Sequence, residues 1–254
     1  MVNKRSLFST ALAAGLALVL VACSGDSDDA GSPAPSTTTS STPPPSSTPA
    51  PSTPATTPSA PAAKVRTAAE LTKALLALSD LPPGFQIEPE EEDDGTKLTS
   101  KDPKCASMVK LFNAKTAPGS KVEVMRVFSG GREGPFVQES LDAMGTPAAT
   151  AALLATTRKA IKSCRKASLT IPGAGTSPVS VTEVASPEAG TNPVATRIAA
   201  TSGPLEGFEV TFVFTGVGDV ILSMAFDSSA DIEEPTLDAA AKATKVLGTT
   251  KSGT

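Results

Sequence analysis

Three cysteines, one Ser-Lys spacing and one acidic run are the residues of this sequence whose types could support chemistry. The chain of 254 residues contains no histidine, so it offers neither a Ser-His-Asp nor a Cys-His arrangement and no imidazole ligand for a metal. Ser163 and Lys166 match the S-x-x-K spacing of penicillin-binding enzymes, but the accompanying S-D-N and K-T-G motifs are missing. The sequence therefore predicts a protein that is not an enzyme and needs no cofactor.

The acidic run contains the oxygen ligands that Ca²⁺ prefers. It lacks the spaced D-x-D-x-D-G order of a calcium loop and a distant bidentate glutamate. The sequence favours a solvated loop over a metal site for this cluster, which consists of Glu88, Glu90, Glu91, Glu92, Asp93 and Asp94.

Cys23 ends the first apolar stretch of the chain. Lys4 and Arg5 precede an apolar run that reaches Ala22, with the length of a secretory signal and short for a helix that stays across a bilayer. The letters LVA stand before the cysteine in the order of a lipobox, so residues 1–22 are predicted to be a signal peptide. The segment resembles that of bacterial lipoproteins, which implies a fatty-acylated Cys23 that anchors the chain in the cell membrane on its extracytoplasmic face. An ordinary signal peptide with an incidental cysteine is the alternative.

Residues 23–66 follow as a linker of Ser, Thr, Pro and Ala with a short acidic start. Such a composition offers little apolar surface to offset the cost of ordering the backbone, so we expect a disordered stalk. Ser/Thr/Pro stalks are often O-glycosylated, and the sequence is equally compatible with a bare linker.

Residues 67–250 are long enough for a single domain with its own core. Without the signal peptide the chain has 20 cations against 26 carboxylates, a net charge of −6. This charge argues against nucleic acid as a partner and against attraction to an anionic bilayer.

Cys105 and Cys164 lie inside this domain, beyond an export signal and therefore in a compartment where disulfides persist. A bridge between them is favoured over two buried free thiols. A metal site is disfavoured because the chain has no histidine and no C-x-x-C motif.

Periodicity predicts three helices in the domain. The first contains Leu71, Leu75 and Leu78 and stops before Pro82; the others cover 147–164 and 233–247. The segment 136–144 fits either a helical turn or an edge strand.

Strands are predicted at 122–128, 166–171, 179–185, 194–201, 207–215 and 219–226. The last two form the clearest hairpin, with Phe208, Val210, Phe212 and Phe214 on one face, which is expected to be core. Consecutive strands and separate helices indicate an α+β domain in which an antiparallel sheet meander packs with helices.

The order of these segments resembles the PknH-type extracellular sensor domain of actinobacterial serine/threonine kinases and related lipoproteins. The resemblance rests on the lipobox, the stalk, the stretches LLALSDLPPGF, DPKC and KSC, and the strand meander closed by a helix. It implies a sensor-like extracytoplasmic module. Lipoproteins of the LpqN type, with a Mog1/PsbP-like fold, are the competing resemblance.

Two functions remain open at this stage. One is a non-enzymatic binding module whose cleft takes a cell-wall fragment, a small molecule or an envelope protein. The other is a carrier of lipid or another apolar molecule through the envelope, which needs a hollow. The sequence identifies no ligand-binding residue for either.

Replacement of the lipobox cysteine tests the anchor. We expect Cys23→Ser to release the protein to the medium or to leave it as uncleaved precursor, because serine cannot form the thioether to diacylglycerol. Membrane fractionation and N-terminal mass spectrometry measure this. Ser24→Ala is the matched control and should stay membrane-bound; unchanged fractionation of Cys23→Ser would contradict the anchor.

Overall fold

The fold was analysed in a computed structural model, which describes residues 65–89, 95–131, 134–227 and 231–248. Cys23, the signal peptide, the stalk up to residue 64 and the acidic residues 90–94 lie outside the described residues. None of the helices within the described ranges is long and apolar enough to cross a membrane.

A nine-stranded antiparallel sheet forms the centre of the domain, so the predicted α+β class is confirmed. The strands run in the order β1-β3-β4-β9-β8-β7-β6-β5-β2. Their bounds are β1 Gln86–Glu88, β2 Lys97–Thr99, β3 Val122–Ser129, β4 Phe136–Ala143, β5 Lys166–Ile171, β6 Gly175–Val184, β7 Thr191–Ala200, β8 Glu209–Val217 and β9 Val220–Phe226.

Four α-helices pack on the sheet: α1 Ala68–Ala74, α2 Ala106–Phe112, α3 Pro147–Ser163 and α4 Glu233–Leu247. Side chains of α1 and α4 share one core cluster with Leu141 and Leu222. Those of α2 and α3 share a second cluster with Val181 and Ile198. The two faces of the sheet are thus covered by different helix pairs.

Local sequence signals explain where the helices begin and end. Thr67 and Glu70 form a capping box at the start of α1. Thr146 accepts a hydrogen bond from the backbone of α3, and Pro147 occupies the first turn. Gly248 ends α4 with φ of 66°, a left-handed conformation that glycine adopts without a steric penalty.

The first helix is shorter than predicted. It stops at Ala74, and Leu78 lies beyond it in a separate 3₁₀ turn, Leu78–Asp80, with 43% of its surface exposed. The spacing of Leu71, Leu75 and Leu78 fits a helix, but Leu75 is already extended, with ψ of 151°.

The segment 136–144 was predicted as a helical turn or an edge strand and forms neither. Its residues 136–143 are β4, which pairs with β3 on one side and β9 on the other. An interior strand was not predicted because β4 carries Glu139, Ser140 and Asp142, and buried polar residues of this kind are uncommon.

Two ionisable side chains, the buried Glu139 and the half-buried Arg126, hold the end of the α1 segment on the sheet. Glu139 and Arg126 are direct cross-strand partners, and both bind the backbone of Leu76. The Leu76 N–H donates to Glu139 Oε2 at 2.7 Å, and Arg126 Nη1 donates to the Leu76 carbonyl oxygen. Glu139 is fully buried, and burial raises the pKa of its carboxyl to about 7, although the hydrogen bond from Leu76 and the charge of Arg126 oppose the rise.

This raised pKa predicts a pH-dependent stability. The unfolded chain loses the Glu139 proton near the ordinary pKa of 4.5 and the folded chain only near 7. The contribution of Glu139 is therefore fully favourable below that lower value, and about 3 kcal/mol is lost as pH rises through this window. Urea unfolding at pH 5 and 7.5 should show that Glu139→Gln, whose amide oxygen still accepts from Leu76, stabilises the protein mainly at the higher pH. Glu206→Gln, on an exposed turn, is the control; equal shifts at both pH values would contradict the assignment.

Cys105 and Cys164 form the predicted disulfide, and both are fully buried. Cys105 ends the 3₁₀ turn Pro103–Cys105 and precedes α2, while Cys164 caps the C-terminus of α3. The bridge therefore joins the two helices that share one face of the sheet.

Removal of the bridge should destabilise the domain. Cys105 and Cys164 are 59 positions apart, and a loop of this length is worth about 4 kcal/mol on the chain-entropy model. The double variant Cys105→Ala/Cys164→Ala should unfold at lower urea concentration, and reduction of the unmodified protein should give a similar shift. A midpoint that moves in neither experiment would contradict this role.

Candidate functional site

The sheet face that α2 and α3 partly cover contains a cleft of about 680 Å³. Its floor consists of β3, β4 and β9, and one wall is formed by α2, α3 and the phenylalanine side chains of β8. The volume falls in the range of about 300–1,000 Å³ that is typical of small-molecule sites.

The wall of the cleft is apolar. Phe112 of α2 meets Phe212 of β8 edge to face, with ring centroids 5.9 Å apart, and Phe214 stacks beside Phe212 at 6.2 Å. Met108 and Ile161 complete this part of the lining. Phe208, Phe212 and Phe214 were expected to be core; they are only half buried, and Phe212 and Phe214 line the cleft together with Phe112.

The floor is polar. Because side chains alternate along a strand, Gln138, Ser140 and Asp142 of β4 share the face that lines the cleft. Ser223 of β9 lies directly opposite Ser140. Among the described residues, the side chains of Gln138, Ser140 and Ser223 have no hydrogen-bond partner in the protein, so they are available to a ligand.

Asp142 closes one end of the cleft. Its carboxylate accepts a hydrogen bond from the Ala117 N–H at 3.3 Å, which holds the loop after α2 against β4. Burial raises the pKa of Asp142, and hydrogen bonds from Ser120 and Ala117 oppose the rise. Its role in the fold is therefore to position the loop that borders the cleft.

Two anchors fix α2, which the sequence did not predict. The disulfide holds its N-terminal end. At the C-terminal end, the amide of Asn113 accepts from the Leu98 N–H at 2.9 Å and donates to the Leu98 carbonyl at 2.8 Å. The helix has only seven residues, so these two attachments, and not its intrinsic helicity, keep the wall in place.

The other candidate residues do not form a catalytic or metal site within the described chain. Ser163 Oγ donates to the Lys159 carbonyl at 2.8 Å, and the next residue is the bridged Cys164. Glu88 accepts a hydrogen bond from Ser129. No group of three or more potential metal ligands occurs among the described residues.

The sequence analysis named no residue of the cleft, although one signal was present. The letters QESLD place polar residues at alternate positions 138, 140 and 142 of β4. This period-two pattern predicts one polar strand face. The structure was needed to show that β4 is an interior strand and that α2 borders the cleft above this face.

No family model matches the sequence, and no curated protein is significantly similar to it. Solved structures are similar in fold. The extracellular domain of PknH from Mycobacterium tuberculosis is 15% identical, with a TM-score of 0.55 over 73% of this chain and 99% of that domain. An uncharacterised Mycobacterium smegmatis protein, an Rv0999 ortholog, is 13% identical, with a TM-score of 0.38 over 76% of this chain and 99% of that one. The chain thus shares the fold of the PknH extracellular domain.

Proposed function

We propose that this chain is a non-enzymatic, sensor-like binding module at the cell envelope, anchored through Cys23, and that the cleft is its ligand site. The observation that carries the proposal is the pairing of an apolar wall with a polar floor whose side chains have no hydrogen-bond partner among the described residues. The disulfide supports an oxidising, extracytoplasmic location. The shared fold supports a sensor-like role, because the similar structure is described as an extracellular domain.

The lining defines the chemistry of the ligand. The phenylalanines at 112, 212 and 214 suit an apolar body, and the floor residues Ser140 and Ser223 suit a hydroxyl or amide group. Each serine hydroxyl can donate and accept, so a hydroxyl or amide group on the ligand matches both. The lining also includes the charged side chains of Lys115, Glu123 and Asp142. The ligand we propose is therefore a small molecule with an apolar body and a hydroxyl- or amide-bearing end.

A carrier of apolar cargo is the alternative. A carrier shields its cargo from water, whereas this cleft is open to solvent and half of its lining is polar. These features favour reversible binding of a ligand over transport. Lipid extraction of protein purified from its host distinguishes the two, because a carrier brings its cargo through purification.

A probe with an apolar chain at one end and hydroxyl groups at the other tests whether the cleft binds a ligand. We expect n-octyl-β-glucoside, below its critical micelle concentration, to perturb the NMR signals of residues at the cleft, while glucose alone perturbs none. Phe214→Ser should weaken this binding by about tenfold, because it removes apolar area worth more than about 1.4 kcal/mol.

Phe136→Ser is the matched control, since Phe136 is 39% exposed and does not line the cleft. It should bind the probe as the unmodified protein does. Equal loss in both variants, or signals perturbed over the whole surface, would refute the cleft as the site.

A further inference from the structure

Positive charge is concentrated in two segments of this acidic chain. Residues 97–121 and 158–166 together contain 11 of its 22 Lys and Arg residues and only one carboxylate, Asp102. The remainder of the sequence is correspondingly acidic. The net charge of the whole chain therefore describes neither these two basic segments nor the acidic remainder.

The disulfide brings these two segments together. Cys105 follows the first lysines of one segment, and Cys164 lies among the cations of the other. We define the basic surface as the exposed cations around the bridge: Lys101, Lys104, Lys110, Lys162, Arg165 and Lys166.

Two shallow depressions make this surface continuous. Lys104, Lys162 and Arg165 line the first together with Asp102 and Ser163. Lys101 and Lys110 line the second, which also includes Asp102. Neither depression contains an aromatic side chain.

Few of these charges are neutralised within the described part of the chain. Lys162 Nζ lies 3.9 Å from Glu183 Oε2. Asp102 Oδ1 accepts a hydrogen bond from the backbone N–H of Lys104 at 2.9 Å, a contact that does not involve the Lys104 ammonium group. The described residues offer no ion-pair partner to the other five cations of the basic surface. A cation in the last turn of α3 complements the helix dipole, which accounts for Lys162 but not for the lysines that precede α2.

We propose that the basic surface binds the anionic headgroups of a phospholipid bilayer. Exposed lysines spread over a shallow surface suit a layer of headgroup phosphates, and each contributes favourably near an anionic bilayer. Single-stranded nucleic acid fits less well because neither depression has an aromatic side chain on which a base can stack. The net charge predicts repulsion, but screening confines electrostatic contacts to about 8 Å, so the local charge decides.

This inference does not depend on the ligand of the cleft or on lipidation. An anchor at Cys23 would strengthen the contact by raising the local concentration of the domain at the membrane. The contact would then orient the domain with its disulfide end toward the bilayer.

Vesicle co-sedimentation tests the proposal with the chain from residue 24 onward, which keeps every described residue. We expect binding to phosphatidylglycerol-containing vesicles at low salt, loss at high salt, and no binding to pure phosphatidylcholine vesicles. Binding to neutral vesicles, or binding that salt does not weaken, would overturn the proposal. So would binding of inorganic polyphosphate without binding of vesicles, since that result identifies a soluble polyanion as the partner.

Charge-reversed variants distinguish an effect of the basic surface on vesicle binding from an effect of the net charge. Lys104→Glu/Arg165→Glu should weaken vesicle binding by more than about tenfold. Lys73→Glu/Lys245→Glu changes the net charge equally at exposed positions of α1 and α4 and should reduce binding far less. Equal losses would refute the assignment. Lys101→Gln/Lys110→Gln gives a milder second test, and circular dichroism confirms that each variant is folded.

Discussion

The disulfide between Cys105 and Cys164 is the constraint on which both proposed binding surfaces depend. It fixes the start of the short helix α2 to the end of α3, across 59 positions of sequence. On one side of this junction, α2 places Phe112 against Phe212 and so forms the apolar wall of the cleft. On the other side the same junction gathers lysines from two distant segments against their mutual repulsion. The bridge and the packing of the two helices together offset this repulsion.

The opposite face of the sheet is built differently. There α1 and α4 pack over β4, β8 and β9, and the Arg126–Glu139 pair binds both polar groups of the Leu76 backbone. Burial of the Glu139 carboxyl costs desolvation energy and makes the pair a weak source of stability, but its two hydrogen bonds fix one position of the chain on the sheet. The face under α1 and α4 is therefore packed around the fixed Leu76 segment, whereas the face under α2 and α3 contains the cleft.

The sequence predicted the elements that rely on local signals. The helix 233–247 and the strand 166–171 have the predicted bounds, and the hairpin at 207–226 is present, with its turn at Gly218. The elements that were not predicted, such as α2 and the interior position of β4, depend on tertiary contacts. Asn113 and the disulfide hold α2, and a buried glutamate is tolerated in β4 only because Leu76 donates to it. The cleft is a gap between elements, so no single stretch of sequence encodes it.

The distribution of aromatic residues is consistent with the proposed ligand site. The chain has nine phenylalanines and neither tryptophan nor tyrosine. Phe128 and Phe226 are almost fully buried in the core beneath α1 and α4. Three others line the open cleft, where each leaves apolar area in water at a cost of about 25 cal/mol per Å². A ligand that covers these rings would remove their apolar area from water, and this is the term that favours binding in the proposed site.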